Sequence, residues 1–115
     1  MQPPRRCRVI TAWTASYTPA LAVRRGDRLN LGSTDPDNPG WRWAKNADGL
    51  GGWLPVTMID GDKAAGDFDS TELSATPCDG VHIIDTIAGW HLCRTPSGKT
   101  GWLPATHLGP PDPLA

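Results

Sequence analysis

Along the chain the apolar residues fall into short alternating runs, not helical stripes. Leu29-Asn30-Leu31 and Val81-His82-Ile83 place an apolar side chain at every second position, the period of a half-buried strand. Trp41 and Trp43, then Asn46-Ala47-Asp48-Gly49, then Gly52-Trp53-Leu54 describe a strand, a tight turn and a returning strand. Gly49 and Gly98 supply the positive φ that such turns need. Pro55 and Pro104 end ladder pairing just after the returning strands. Short strands separated by turn signals every roughly 8–12 residues predict an all-β fold of small-barrel or sandwich type.

The pattern occurs twice. Gly40–Asp60 and Gly89–Gly109 align without a gap at an offset of 49 residues, with eight identities in 21 positions. The identities are Gly40/Gly89, Trp41/Trp90, Gly49/Gly98, Gly52/Gly101, Trp53/Trp102, Leu54/Leu103, Pro55/Pro104 and Thr57/Thr106. Two copies of one small module therefore fill the 115 residues.

Composition sharpens the β reading. Of the 12 acidic residues all but Glu72 are Asp, and Arg outnumbers Lys by eight to three. Long helices favour Glu and Lys, whereas Asp, Gly, Pro, Thr and Trp punctuate turns and strands. The excess of Arg, Ala, Gly and Pro also fits a GC-rich, bacterial genome. Net charge is −1, so the chain as a whole is not built to wrap nucleic acid. No run reaches 18 apolar residues, and the basic start MQPPRRCR has no apolar stretch behind it. The expectation is a soluble cytoplasmic protein with no membrane partner. Three cysteines, Cys7, Cys78 and Cys93, are an odd number with no Cys-x-x-Cys spacing, so no disulfide framework is expected. Cys93 matches Ala44 and reads as inert core, Cys7 as an exposed strand edge, Cys78 as part of a turn.

Other chemistry is weaker than its structural explanation. His82, His91 and His107 lack metal-ligand spacing, and no catalytic motif or phosphate loop is present, so neither a cofactor nor an enzyme is expected. Arg25-Gly26-Asp27 reads as a turn. Arg5, Arg6 and Arg8 read as a solubilising tail, and the Pro-rich C-terminus as a second one.

From Val9 to Leu31, with Gly26-Asp27 at a diverging turn, and from Trp41 to Gly52-Trp53-Leu54-Pro55, the first copy resembles the Src-homology-3 (SH3) family. The second copy resembles it through Ala64-Ala65-Gly66-Asp67-Phe68, Glu72-Leu73-Ser74 and its C-terminal half, with a shortened first loop and Cys78-Asp79 in place of Gly-Asp. The resemblance implies two tandem five-stranded SH3-like barrels packed together, over residues 8–60 and 62–109, with flexible tails at 1–7 and 110–115. It implies a non-catalytic interaction module that holds an extended, proline-containing segment of a partner protein. By position, Trp13, Trp41 and Pro55, with Met58 at a late tyrosine position, would line one groove. Phe68, Trp90, Pro104 and His107 would line the other, with Glu72 selecting charge. Trp41 and Trp90 are expected to be exposed; Trp53 and Trp102 are open between packing and groove wall. Two rival readings are an assembly protein whose Trp-rich faces are buried between copies or subunits, and a cell-wall-type ligand-binding module.

Overall fold

In the computed structural model the described residues are 5–15 and 20–110. Of the expected tails at 1–7 and 110–115, residues 1–4 and 111–115 lie outside them, as do residues 16–19 of the first loop. The described chain is all-β. In order it forms β1 (Arg5–Arg8), β2 (Ala22–Val23), β3 (Asn30–Thr34), β4 (Trp41–Lys45), β5 (Gly51–Pro55), β6 (Ile59–Asp60), β7 (Lys63–Ala64), β8 (Phe68–Asp69), β9 (Gly80–Ile87), β10 (Trp90–Arg94) and β11 (Thr100–Pro104). Single 3-10 turns at Val56–Met58 and Ala105–His107 follow the two prolines.

The chain divides into two units, one drawn from Met1–Ser16 and Glu72–Ala115, the other from Tyr17–Thr71. The partition expected from the repeat, 8–60 and 62–109, is contiguous; the observed one is not. Residues 5–15 belong with the second copy, and residues 62–71 belong with the first.

In the discontinuous unit the sheet order is β1-β9-β10-β11, antiparallel throughout. Arg5–Arg8 is thus an edge strand rather than the start of a tail. Its alternation turns Cys7 inward, 1% exposed, where an exposed edge was expected. Cys7 and Val9 join Leu73, Ala75, Val81, Cys93, Leu103 and Leu108 in one apolar core. In the other unit, β3-β4-β5 forms a three-stranded sheet, and β2-β8 and β6-β7 form two separate two-stranded sheets. Leu21, Ala44 and Leu54 are fully buried there.

The sheets are open, not the closed barrels expected. Single bridges, Val9–Leu108 and Glu72–Trp102 in one unit and Arg28–Lys63 in the other, stand where closing ladders would run.

The turns follow the expected chemistry. Gly49 and Gly98 have φ of 83° and 92°, and their N–H groups donate to the Asn46 and Thr95 carbonyls. Asn46 Oδ1 accepts from the Asp48 and Leu50 amides and so closes the first of these turns locally. A second pair of turns is equally alike. Asp27 Oδ2 accepts from the Arg24 amide and Asp79 Oδ2 from the Thr76 amide, both at 2.9 Å. Gly26 takes φ 89° and Cys78 takes φ 77° at the same point.

Candidate functional site

The β4-β5 and β10-β11 hairpins present their aromatic residues by parity. Trp41 pairs with Pro55 and Trp43 with Trp53 on one face, while Ala44 and Leu54 take the other face, toward the core. In β10-β11, Trp90 pairs with Pro104 and Leu92 with Trp102, while Cys93 opposes Gly101. Ala44 also opposes a glycine, Gly52. A small residue facing a glycine at both places leaves room for the segment that crosses there. A Cβ on Gly101 would stand 2.9 Å from the Leu73 amide nitrogen, and one on Gly52 would stand 2.8 Å from Leu21 Cβ.

In the discontinuous unit, Trp13 is fixed by two backbone hydrogen bonds with Ala75, Trp13 N–H to Ala75 O at 2.9 Å and Ala75 N–H to Trp13 O at 2.8 Å. Its ring meets Trp90 edge-on with centroids 5.4 Å apart, and meets His107 at 5.2 Å. Its indole N–H donates to Glu72 Oε1 at 3.1 Å. Trp13, Trp90 and His107 are all half-buried, so this cluster keeps part of its aromatic surface exposed. The His107 carbonyl accepts from Ile10 N–H at 2.9 Å. Among the described residues His107 Nδ1 is buried without a hydrogen-bond partner, so backbone and ring contacts, not a bond at that nitrogen, hold the imidazole.

In the continuous unit, the Trp41 and Phe68 rings lie 6.0 Å apart. Trp41 is 5% exposed and Phe68 9%. The expectation that Trp41 forms an exposed platform is therefore corrected: its ring is packed away beside Phe68. Met58 comes up from the 3-10 turn, and Gly66 makes room for it, since a Cβ there would stand 3.3 Å from Met58 Sδ. On the same unit Trp43 and Trp53, both half-buried, meet edge-on at 5.2 Å. Trp102 is buried, 4% exposed.

Trp41 keeps Pro55 and Trp90 keeps Pro104 as expected, but both prolines are buried and line no groove; other predicted residues change company. Trp13 was expected beside Trp41, Pro55 and Met58, and stands beside Trp90 and His107. Phe68 was expected beside Trp90, and stands beside Trp41. Glu72 was expected to face a ligand as a charge selector. It is 8% exposed and accepts the Trp13 indole N–H, so its carboxylate orients a ring. Sequence reasoning missed the Trp13–Glu72 bond, and no local signal could have supplied it, because its partners are 59 residues apart.

Burial pushes the Cys93 thiol up to about 12, and the neighbouring Cys7 adds to the effect. Both residues are core rather than chemistry. Among the described residues no group of three His, Cys, Asp or Glu could hold a metal ion, and no helix is long and apolar enough to cross a membrane.

Fold and site together define an all-β protein of two small units, one of which carries a partly exposed Trp-Trp-His cluster. No family model, curated protein or solved structure matches this chain.

Proposed function

We propose that the protein is a non-catalytic interaction module, with two SH3-like units, that holds an extended, proline-containing segment of a partner protein. The observation that carries this reading is the contact of Trp13 with Trp90 and His107 in one half-buried cluster. Two edge-on indoles offer apolar walls at right angles, the surface against which a polyproline ridge packs at low entropy cost; Pro104, paired with Trp90, is itself buried. The working site is this cluster alone. Trp41 and Phe68, the corresponding pair, are buried.

The reading also specifies charge. Glu72 is 8% exposed and its carboxylate accepts the Trp13 indole N–H, so it is not presented to an arginine of the segment. A neutral proline-containing ligand is the expected class.

The test is a ¹H–¹⁵N titration that follows the six indole N–H signals as neutral and arginine-bearing proline-rich peptides are added. Saturable shifts of the Trp13 and Trp90 indoles, without preference for the arginine-bearing peptides, support the proposal. A folded protein in which neither signal moves with any peptide overturns it and leaves the assembly reading, which predicts a dimer in light scattering.

A further inference from the structure

The strand pairing joins residues 5–15 to the second copy and residues 62–71 to the first, and the two segments occupy equivalent slots. Val9 N–H donates to the Asp79 carbonyl at 2.8 Å, Cys78 N–H to the Val9 carbonyl at 2.8 Å, and Ile10 N–H to the His107 carbonyl at 2.9 Å. In the other unit Ala64 N–H donates to the Asp27 carbonyl at 2.9 Å, Gly26 N–H to the Ala64 carbonyl at 2.8 Å, and Ala65 N–H to the Met58 carbonyl at 2.8 Å. Val9 bridges Leu108 as Ala64 pairs with Ile59. Each residue of one set aligns in sequence with its counterpart in the other. The backbone of either segment therefore satisfies either slot.

One element breaks this equivalence. β6 and β7 pair as Ile59–Ala64 and Asp60–Lys63, leaving only Gly61 and Asp62 between them. Gly61 has φ 63°, the left-handed conformation wanted at the first position of a two-residue hairpin turn. The three Cα–Cα steps from Asp60 to Lys63 span at most about 11 Å, and the turn folds them back onto a neighbouring strand about 5 Å away. Residues 63–64 are therefore delivered to the slot beside β6 as soon as β6 forms. The N-terminal segment, which a contiguous fold would place there, fills the slot left open in the second copy.

We infer that the two-residue Gly61–Asp62 hairpin is the positioning element that imposes this exchange, and so decides that Trp13 joins Trp90 and His107 instead of Trp41. A longer connection frees residues 62–71 to return to their own copy, and the aromatic sets recombine. The inference stands on strand pairing and is independent of the peptide-binding reading.

The experiment compares ring-to-ring nuclear Overhauser effects in the full-length chain with those in full-length variants carrying roughly two, four and eight Gly/Ser residues inserted between Gly61 and Asp62. The native chain is expected to show Trp13–Trp90 and Trp13–His107 effects. The longest insertion is expected to lose both and gain Trp13–Trp41 effects, with a dispersed spectrum. Retention of the Trp13–Trp90 effect at every length overturns the inference. So does loss of dispersion at every length, because the contiguous pairing would then not be an accessible fold. A native chain showing Trp13–Trp41 contact overturns the exchange itself.

Discussion

Trp13 and Glu72, 59 residues apart, are joined by a 3.1 Å hydrogen bond from the indole N–H to Oε1. The bond fastens the first copy's N-terminal segment to the start of the second copy's body. It turns the one glutamate of the chain toward a ring instead of toward solvent. Glu72→Ala is expected to destabilise the protein by about 2 kcal/mol, as for a hydrogen bond to a charged group. Glu72→Gln keeps an acceptor and should recover about half of that loss. Urea unfolding monitored by Trp fluorescence measures both, and no loss in either variant would show that the bond contributes nothing.

Cys78 and Gly26 stand at the same point of two like turns, but only one is a glycine. A side chain at φ 77° carries a steric cost of about 1–2 kcal/mol. Cys78→Gly should therefore stabilise the protein by roughly 0.5–1 kcal/mol after the added freedom of the unfolded chain is counted. A rise of a few degrees in Tm is the expected readout; a fall would mean that the turn draws more from the Cys78 side chain than its conformation costs.

Close approach makes Gly101 hard to replace. A Cβ there would meet the Leu73 amide nitrogen at 2.9 Å and the Glu72 carbonyl carbon at 3.0 Å. Backbone cannot swing aside as a flexible side chain can, so Gly101→Ala should cost about 1–3 kcal/mol. Gly98→Ala is a control of a different kind, since open space surrounds that position and only its φ of 92° resists the substitution. Denaturant midpoints and m-values for the two variants separate crowding from backbone strain. In the first case nearby core signals from Leu73 should move in a methyl spectrum, and in the second they should not.

Cys93 gives the protein an alkaline limit. Burial pushes its folded-state pKa up to about 12, above the ordinary thiol value of 9.0, so above pH 9 the unfolded chain releases a proton that the folded chain retains. Stability from this group is complete below about pH 9 and falls as pH rises toward 12. Cys93→Ala, the residue found at the matching position 44, should flatten this decline between pH 9 and 11. Unfolding free energies at three pH values test it, and identical slopes for both proteins would remove Cys93 as the cause. A native-state thiol assay should find Cys78, which is exposed, reacting well ahead of buried Cys7 and Cys93.

Much of the local structure is legible in the sequence. Period-two alternation marks the β3 and β9 regions, glycines with positive φ mark the hairpin turns, and Pro55 and Pro104 close strands β5 and β11. The pairing of small residues at Ala44 and Cys93 with glycine also follows from the repeat. These features are local, because φ, hydrogen-bonding capacity and side-chain parity are set by residues a few positions apart. The burial of Trp41 is not legible in the sequence, for the opposite reason. Its burial depends on Phe68, a residue from the other copy's opening segment.

By itself, then, the sequence determined an all-β chain, two repeats and the residues rich enough in aromatic surface to matter. Which of those residues stand together was decided only in the tertiary structure. The two copies offer slots with the same backbone hydrogen bonds, so periodicity and propensity cannot choose between them. The choice falls to connectivity: a two-residue turn at Gly61 and Asp62 pairs β7 with β6, and the N-terminal segment takes the slot that remains.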